Sequence, residues 1–183
     1  MKPIFKNRPN KSYKIDGKEI WASRSPAAVA IVFALDKNNN IFVLGTKRSQ
    51  NMPTAPGKWV VPSGYLDWDE SGWEALRREL YEESSFLIDD YETQLMYDND
   101  KQPFYVKTEP DEHLQNIALN YCLVFNFRLS DIPIHIESYK NEETEEVKWI
   151  PIEKIDDYDW SFEHNERIKM ALSESNIQYL RFN

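Results

Sequence analysis

Three carboxylates, Glu79, Glu82 and Glu83, lie close together in the stretch GYLDWDESGWEALRRELYEESSF, residues 64–86. On a helix, at about 100° per residue, their side chains share about a third of the circumference and border an apolar face. Like charges at this spacing cost about 0.2–0.5 kcal/mol per pair, and the C-terminal end of a helix disfavours anions. Carboxylates grouped at such a cost indicate a functional site. The alternative is a solvated acidic face.

The beginning of the same helix follows the ordinary rules. Ser71 followed by Glu74 matches a capping box, and Asp69 and Glu70 are placed where the positive end of the helix dipole favours anions. The sequence therefore predicts a helix with a well-formed start, whose unfavourable residues are confined to its second half.

The spacing of these residues is more specific than their number. The stretch from Gly64 to Phe86 resembles the signature of the Nudix hydrolases, G-x5-E-x7-R-E-U-x-E-E-x-G-U, where U is a bulky apolar residue. Every defined position matches except Ser85, which stands where the family has Gly. Because the pattern spans 23 residues and fixes several charges, a chance match is improbable.

The resemblance implies a loop–helix–loop that holds divalent cations, Mg²⁺ or Mn²⁺, against a pyrophosphate. Mg²⁺ binds carboxylates together with substrate phosphates, so it would make the carboxylate cluster favourable. Arg78 is expected to hold the glutamates by charge-assisted hydrogen bonds, supported by Glu70 and by Gly64 of the box. The implied metal ligands are the backbone carbonyl before the box and the three carboxylates: Ser63, Glu79, Glu82 and Glu83.

Residues outside the box complete the expected site. A loop before the last strand often supplies a further ligand or general base, for which Glu143 is the first choice and Glu142 the second, with a solvated hairpin tip as the alternative. Arg48 matches a phosphate-contacting arginine of relatives, or is an ordinary surface charge. Asn165 stands where some relatives that act on nucleoside triphosphates read the base, or caps a helix. Four aromatic residues are candidates to stack on a base or to pack internally: Trp21, Trp68, Trp160 and Phe162.

Composition limits the classes of protein that fit. At 183 residues with 41% hydrophobic residues, the chain is long enough for one folded domain with a substantial core. Cys122 is the only cysteine, which excludes an internal disulfide and a multi-cysteine zinc site. The apolar run at 27–35 is too short to cross a bilayer, and the N-terminal residues lack an apolar signal segment. We therefore expect no membrane partner and a cytoplasmic protein.

Charge predicts the kind of partner. The net charge of −9 argues against duplex nucleic acid, because such binding relies on basic surface. It is compatible with a small nucleotide-type diphosphate, since bound cations would reverse the local charge. Residues 1–24 are locally basic and are interpreted as an N-terminal arm, which either attracts polyanions or is merely solvated.

Hydrophobic patterns predict the remaining elements. AVAIVFAL, a turn at DKNNN, and IFVLGT form a predicted hairpin, and KWVVP is a short strand that leads into the box. Residues 117–129 alternate as a half-buried strand, EEVKWIPIEKI is the last strand, and FEHNERIKMALSES is a C-terminal helix. This order fits an α/β fold, a Nudix-like α/β/α sandwich with a mixed β-sheet, over a single domain of residues 1–183.

The resemblance implies a hydrolase that cleaves the pyrophosphate bond of a nucleoside diphosphate linked to a group X. Nucleoside triphosphates, ADP-ribose and sugar nucleotides all stay open as substrates, and homodimers are common in the family. One alternative is a catalytically silent nucleotide-binding or regulatory module, against which the intact box argues. Another is isoprenoid diphosphate isomerisation, which ranks last because Cys122 has no histidine near it in the sequence.

Overall fold

The structure is a computed structural model that describes residues 10–109 and 116–177. The β-strands and α-helices in these ranges, in chain order, are β1 (Lys11–Ile15), β2 (Lys18–Ala22), β3 (Pro26–Leu35), β4 (Ile41–Arg48), β5 (Trp59–Val60), β6 (Ser63–Tyr65), α1 (Gly72–Ser84), β7 (Leu95–Tyr97), β8 (Tyr105–Lys107), β9 (Ile117–Asn126), β10 (Thr144–Pro151) and α2 (His164–Glu174). Short 3₁₀ helices occupy Ile88–Gln94, Asn99–Lys101, Ile134–Ser138 and Ile152–Asp157.

The central sheet is mixed. Its strands run in the order β10-β4-β3-β9-β7, with β5, β6 and β8 added at the sides. β3 pairs in parallel with β9 along its whole length. β4 pairs antiparallel with β3 on one side and with β10 on the other. β3 is almost entirely buried, which explains its continuous apolar sequence, because a strand covered on both faces has no polar side to expose.

Helices cover both faces of the sheet. Ala75, Leu76 and Leu80 of α1 pack on one face, and Ile168 and Ala171 of α2 pack on the other. The predicted α/β fold with a mixed sheet is therefore confirmed. The layering places α1, which carries the box, directly against the buried strand β3.

A gap between β3 and β4 positions the box. The two strands pair only near their connecting turn, through Phe33–Leu35 and Ile41–Val43. Further along, β6 pairs with β3 and β5 pairs with β4, and the amide of Ala30 donates to the carbonyl of Pro62 at 2.8 Å. The chain thus fills the gap and emerges at the start of the box, so the sheet fixes where α1 begins.

Both ends of α1 are capped, and the N-terminal cap is the predicted one. The Ser71 side chain accepts from the Glu74 amide, and the Glu74 side chain accepts from the Ser71 amide, which confirms the capping box. At the other end Ser85 adopts the left-handed conformation, with φ 60° and ψ 15°, and its amide donates to Tyr81. Ser85 therefore stands in a conformation that favours glycine, the residue that the family signature has there.

Residues 11–22 form a β-hairpin, which the interpretation of residues 1–24 as an arm did not include. Ile15 pairs with Lys18, and both turn residues, Asp16 and Gly17, have positive φ. Asp-Gly is a strong hairpin signal, and it was present in the sequence. Residues 1–9 of the predicted arm lie outside the described residues. Within the described ranges, no helix has the length and apolar character needed to span a bilayer.

Candidate active site

The guanidinium of Arg78 is the centre of the box. Its Nη1 donates to Glu79 Oε1 at 2.6 Å and to Glu82 Oε2 at 3.0 Å. Its Nε and Nη2 donate to the two oxygens of Glu70 at 3.0 and 2.6 Å, and Nη2 also reaches the Tyr65 carbonyl at 3.0 Å. The hydrogen bonds to the carboxylates, of which the one to Glu70 has the largest effect, raise the pKa of Arg78 above its ordinary value. The positively charged Arg78 side chain therefore holds three carboxylates and the preceding loop together.

Glu70 fixes Arg78 from the loop. Besides its two bonds to the guanidinium, its Oε1 accepts from the amide of Asp67 at 2.8 Å. The hydrogen bond from Arg78 lowers the pKa of Glu70, so its carboxylate stays ionised at neutral pH. The structure thus brings Glu70 and Arg78 together at the start of the box.

Glu83 lies deepest of the three carboxylates. It is 5% exposed, and its Oε2 accepts from the Ser63 amide at 3.0 Å. Burial raises the pKa of Glu83 to about 8, against the opposing effect of that hydrogen bond. Burial also raises the pKa of Glu79 although Arg78 is beside it. These carboxylates carry a desolvation cost that a nearby cation would offset.

Gly64 allows the helix to approach β6. A Cβ atom at this position would lie 2.0 Å from Glu79 Oε1 and 2.2 Å from Glu79 Cδ. Any larger residue would therefore displace the Glu79 carboxylate. Glycine therefore leaves room for the Glu79 carboxylate in its observed place, and its role here is this close approach rather than backbone freedom.

Residues 139–143, here called the acid loop, bring further carboxylates to the box. Glu142 and Glu143 line a cavity of about 260 Å³ together with box carboxylates of α1 and Asn141. The carbonyl of Glu143 accepts from the Ser49 amide at 2.7 Å, which connects the loop to the end of β4. The structure therefore places Glu143 beside Glu79, Glu82 and Glu83.

The chemistry of this group fits a hard divalent cation. The acidic side chains that line the smaller cavity all offer carboxylate oxygens, and Ser63 of the adjoining strand contacts Glu83 through its backbone amide. Within residues 10–109 and 116–177, no three His, Cys, Asp or Glu side chains already converge as a ligand set. Two of the carboxylates accept from Arg78 and the third from the Ser63 amide, and each of these bonds engages one oxygen, so the second oxygen of each carboxylate could still bind a cation.

A larger cavity of about 940 Å³ extends from the box. Glu79, Glu83 and Glu143 line one part of it. Its remaining wall carries several charged or polar side chains that were not predicted as site residues: Lys58, Lys107, Asn120, Glu163, His164 and Arg167. They come from β5, β8, β9 and α2 and their flanking turns, and no local pattern joins positions so far apart in the sequence.

Arg48 and Asn165 are placed differently. Arg48 lines the large cavity, where its Nε donates to the Thr54 carbonyl at 3.0 Å and its guanidinium lies 5.7 Å from the Phe162 ring centre. Asn165 is not among the residues that line it. The N-cap of α2 is Glu163, so the alternative prediction that Asn165 caps the helix is wrong, and Asn165 lies within the first turn. The side-chain Nδ2 of Asn165 donates to Glu166 Oε1 at 3.3 Å.

Of the four aromatic candidates, Phe162 is the one that lines the large cavity. Trp21 and Trp68 are 65% and 92% exposed, whereas Trp160 packs against the core on the α2 side. Phe162 and Glu163 are consecutive non-glycine residues with φ of 57° and 58°. Such strain persists only where the surroundings enforce it, and it concentrates at functional sites.

Glu163 and His164 are held firmly at this wall. Glu163 Oε2 accepts from Lys107 Nζ at 2.7 Å and from Arg167 Nη2 at 2.9 Å, and the Lys107 hydrogen bond lowers the pKa of Glu163. His164 is buried, and its Nδ1 accepts from the Val61 amide at 3.0 Å. Burial lowers the pKa of His164 to about 3, so the imidazole is neutral.

Solved structures with a similar fold include a mutT/nudix family protein from Listeria innocua. It is 21% identical, the alignment covers 87% of this chain and 99% of that chain, and the TM-score is 0.63. The NUDIX domain of Shewanella oneidensis NrtR complexed with ADP ribose is 20% identical, with 84% and 89% of the chains covered and a TM-score of 0.58. At these identities the likeness shows a shared fold. No curated protein sequence matches the chain.

One comparison corrects the predicted partners. Shewanella oneidensis NrtR complexed with a 27mer DNA is 22% identical, with 81% of this chain and 60% of that chain covered and a TM-score of 0.59. The exclusion of duplex nucleic acid is therefore wrong as a conclusion from net charge. Net charge averages over the whole surface, whereas nucleic-acid contact depends on the local distribution of basic groups.

The comparison of the sequence with family models agrees with the fold. The family described as NUDIX domain matches residues 24–170, which include the sheet, the box helix, the acid loop and most of α2. The chain therefore belongs to the NUDIX domain family.

Proposed function

We propose that the protein is a Mg²⁺- or Mn²⁺-dependent Nudix hydrolase. It cleaves the pyrophosphate bond of a nucleoside diphosphate linked to a group X. The observation that carries this proposal is the arrangement around Arg78, which holds Glu70, Glu79 and Glu82 beside the buried Glu83. These groups adjoin a cavity of about 940 Å³, which is within the range of small-molecule sites.

The cation would be held by the carboxylates of α1 and by the carbonyl of Ser63. When bound, it neutralises phosphate charge and lowers the pKa of a coordinated water. Ser63 also directs Glu83 through its amide, and Arg78 directs Glu79 and Glu82, so the donors are oriented before substrate arrives.

The proton of the attacking water needs an acceptor beside the scissile phosphorus. Glu143 is our assignment, because it lines both the acidic cavity and the large cavity. A carboxylate in this place accepts the proton as the bond from water to phosphorus forms, while the bridging oxygen leaves with the second phosphate. Arg48, which pairs with Thr144 next to the acid loop and is anchored by Thr54, stabilises the charge of the departing phosphate.

We assign the nucleoside or the group X to the far wall of the large cavity, which is formed by Lys107, Phe162, Glu163 and Arg167. Phe162 offers a ring for stacking, and the cluster of Glu163, Lys107 and Arg167 offers both a carboxylate and cationic donors. This combination suits a nucleobase or a sugar. Nucleoside triphosphates, ADP-ribose and sugar nucleotides are the substrates to compare.

A panel of these three substrate classes, with products identified by mass, tests the proposal directly. We expect hydrolysis that requires Mg²⁺ or Mn²⁺ and stops with a chelator. Arg78→Gln should abolish it, because the carboxylates lose their common partner. Arg77→Gln is the matched control, since Arg77 pairs with Asp89 and with none of the three carboxylates that Arg78 holds, and this variant should keep wild-type activity. Absence of turnover on all substrates would contradict the proposal.

The second candidate is a catalytically silent nucleotide-binding or regulatory module of the same fold. It is favoured by the NrtR structures, in which a NUDIX domain binds ADP ribose and NrtR binds DNA. The same panel separates the two candidates. Tight binding of a nucleotide conjugate without any product would support the silent module, whereas cation-dependent product formation would exclude it.

A further inference from the structure

The side chain of Asn141 connects the acid loop to the C-terminal turn of α1. Its Nδ2 donates to the carbonyl of Glu82 at 2.7 Å. Its Oδ1 accepts from the amides of Glu143 and Thr144 at 2.8 and 2.6 Å. One side chain therefore spans the two segments that carry the carboxylates of the proposed site.

The network determines which way the Asn141 amide points. Two backbone N–H groups face one of its terminal atoms and a backbone carbonyl faces the other, so the first must be oxygen and the second nitrogen. The hydroxyl of Tyr139 donates to the same Glu82 carbonyl at 2.8 Å and accepts weakly from Asn141 at 3.3 Å. The last turn of a helix leaves such carbonyls unpaired, and this loop satisfies one of them twice.

The backbone of Glu143 is held on both sides as a result. Its amide donates to Asn141, and its carbonyl accepts from the Ser49 amide at 2.7 Å. Glu142 and Glu143 border the 260 Å³ cavity with the box carboxylates. The distance from the loop carboxylates to the helix carboxylates therefore depends on the contact that Asn141 makes with Glu82.

We propose that Asn141 is a positioning residue that sets Glu143 against the catalytic helix, assisted by Tyr139. This inference rests on the proposed function. In it, an uncharged side chain sets the distance between the carboxylates of the loop and those of the helix, which repel one another. The carboxylates of the loop and of the helix would separate if only their own charges decided the distance. The bonds to a neutral backbone carbonyl oppose that separation without adding a charge to the site.

Two substitutions separate the loop from its connection to the helix. Asn141→Asp keeps the oxygen that accepts from Glu143 and Thr144, but it turns a second oxygen toward the Glu82 carbonyl. Asn141→Ala removes both functions. Asn126→Ala is the matched control, because Asn126 also accepts from a backbone amide two residues on, at 3.1 Å, and lies at the other end of the sheet.

Steady-state kinetics and thermal melts of these variants, alone and combined with Glu143→Gln, test the proposal. Asn141→Ala and Asn141→Asp should each lower kcat by about 10–100-fold, the range for residues that orient ligands, with KM changed less than about twofold. Asn126→Ala should keep wild-type kinetics. If Asn141 acts through Glu143, adding Asn141→Ala to Glu143→Gln should slow turnover no further, because residues that act through one another are not additive.

Three results would overturn the proposal: wild-type kcat in Asn141→Asp, multiplication of the kcat losses of Asn141→Ala and Glu143→Gln, or wild-type turnover in Glu143→Gln. If the wild type hydrolysed no substrate, the proposed function would fail, and amide hydrogen exchange would judge the positioning role alone. Faster exchange of the Glu143 amide in Asn141→Asp than in Asn126→Ala would support that role, because Asp keeps the oxygen that this amide bonds and loses only the donor to Glu82. Equal exchange rates would contradict it.

Discussion

At the residue scale, Glu79 and Glu83 carry the proposed cation site at a cost to the fold. Each is shielded from water, and burial raises the pKa of each carboxyl. Glu79→Gln and Glu83→Gln should each lower kcat at least about a hundredfold, because each removes charge from the cation site. Both variants should stay folded in a circular dichroism melt. Near wild-type turnover of either variant on a confirmed substrate would contradict the assignment of the metal ligands.

The raised pKa of Glu83 also makes stability depend on pH. In the unfolded chain this carboxyl has its ordinary pKa of 4.5, and in the folded protein its pKa is about 8. Between these values the folded protein binds a proton that the unfolded chain has released, so the free energy of unfolding falls as pH rises through this window. Glu83→Gln removes the titrating carboxyl, and with it this fall in the free energy of unfolding.

Urea denaturation at pH 5 and pH 8, without divalent cation, measures the effect. We expect the variant to exceed the wild type in stability by a larger margin at pH 8. Glu82→Gln is the control, because Glu82 is exposed and should show little change in that margin. A margin for Glu83→Gln that does not grow with pH would contradict the prediction.

At the element scale, the end of α1 offers a stabilising change. Ser85 is left-handed, and a residue with a Cβ atom holds that conformation at a cost of about 1 kcal/mol. Ser85→Gly should therefore raise the melting temperature and leave kcat unchanged. Ser85→Ala keeps the Cβ atom and should give no gain, so equal melting temperatures for the two variants would show that the backbone conformation is not the cause.

The acid loop and β10 give a graded comparison of four glutamates. Glu142 and Glu143 line the acidic cavity, whereas Glu145 and Glu146 on β10 pair with lysines at 3.6 and 3.5 Å. Glu143→Gln should lower kcat by about 10²-fold or more while KM changes little, as expected for a general base. The Gln variants of Glu145 and Glu146 should stay within about twofold of wild type. Equal, small effects at all four positions would refute Glu143 as the base.

The elements that sequence predicts well are those whose signal is local. The capping box at Ser71 and the buried hairpin of β3 and β4 follow from periodicity and end signals within one segment, and both are present. The bond of Arg78 to Glu82 is of the same kind, because a helix places residues four apart side by side. The strand predicted at 117–129 is present as β9, but its description as half-buried is wrong, because Leu123 packs in the core on one face of the sheet and Cys122 in the core on the other.

The far wall of the large cavity has no such signal. Lys107, Glu163 and Arg167 meet because β8 pairs with β9 while α2 packs on the same side of the sheet, and Lys107 and Glu163 are 56 positions apart in the chain. Each charge taken alone matches an ordinary surface residue. Only the topology of the sheet brings them together, and composition does not determine that topology.

At the scale of the whole molecule, cation binding should stabilise the folded state. A ligand that binds only the folded protein adds about 2.7 kcal/mol at a hundred times its Kd. Mg²⁺ or Mn²⁺ should therefore raise the melting temperature of the wild type, and a chelator should reverse the gain. Glu83→Gln should lose most of this response while melting higher than the wild type without cation at pH 8. An equal response to cation in both proteins would place the cation elsewhere.

Strand β6 determines how the site is lost when the protein unfolds. The Ser63 amide bonds Glu83, Gly64 lies against Glu79, and the Tyr65 carbonyl accepts from Arg78, while the same three residues pair with β3 in the core of the sheet. The proposed active site and the buried sheet therefore form one cooperative unit. Amide hydrogen exchange at Ser63 should proceed at the rate of global unfolding, and no partly unfolded species should retain activity.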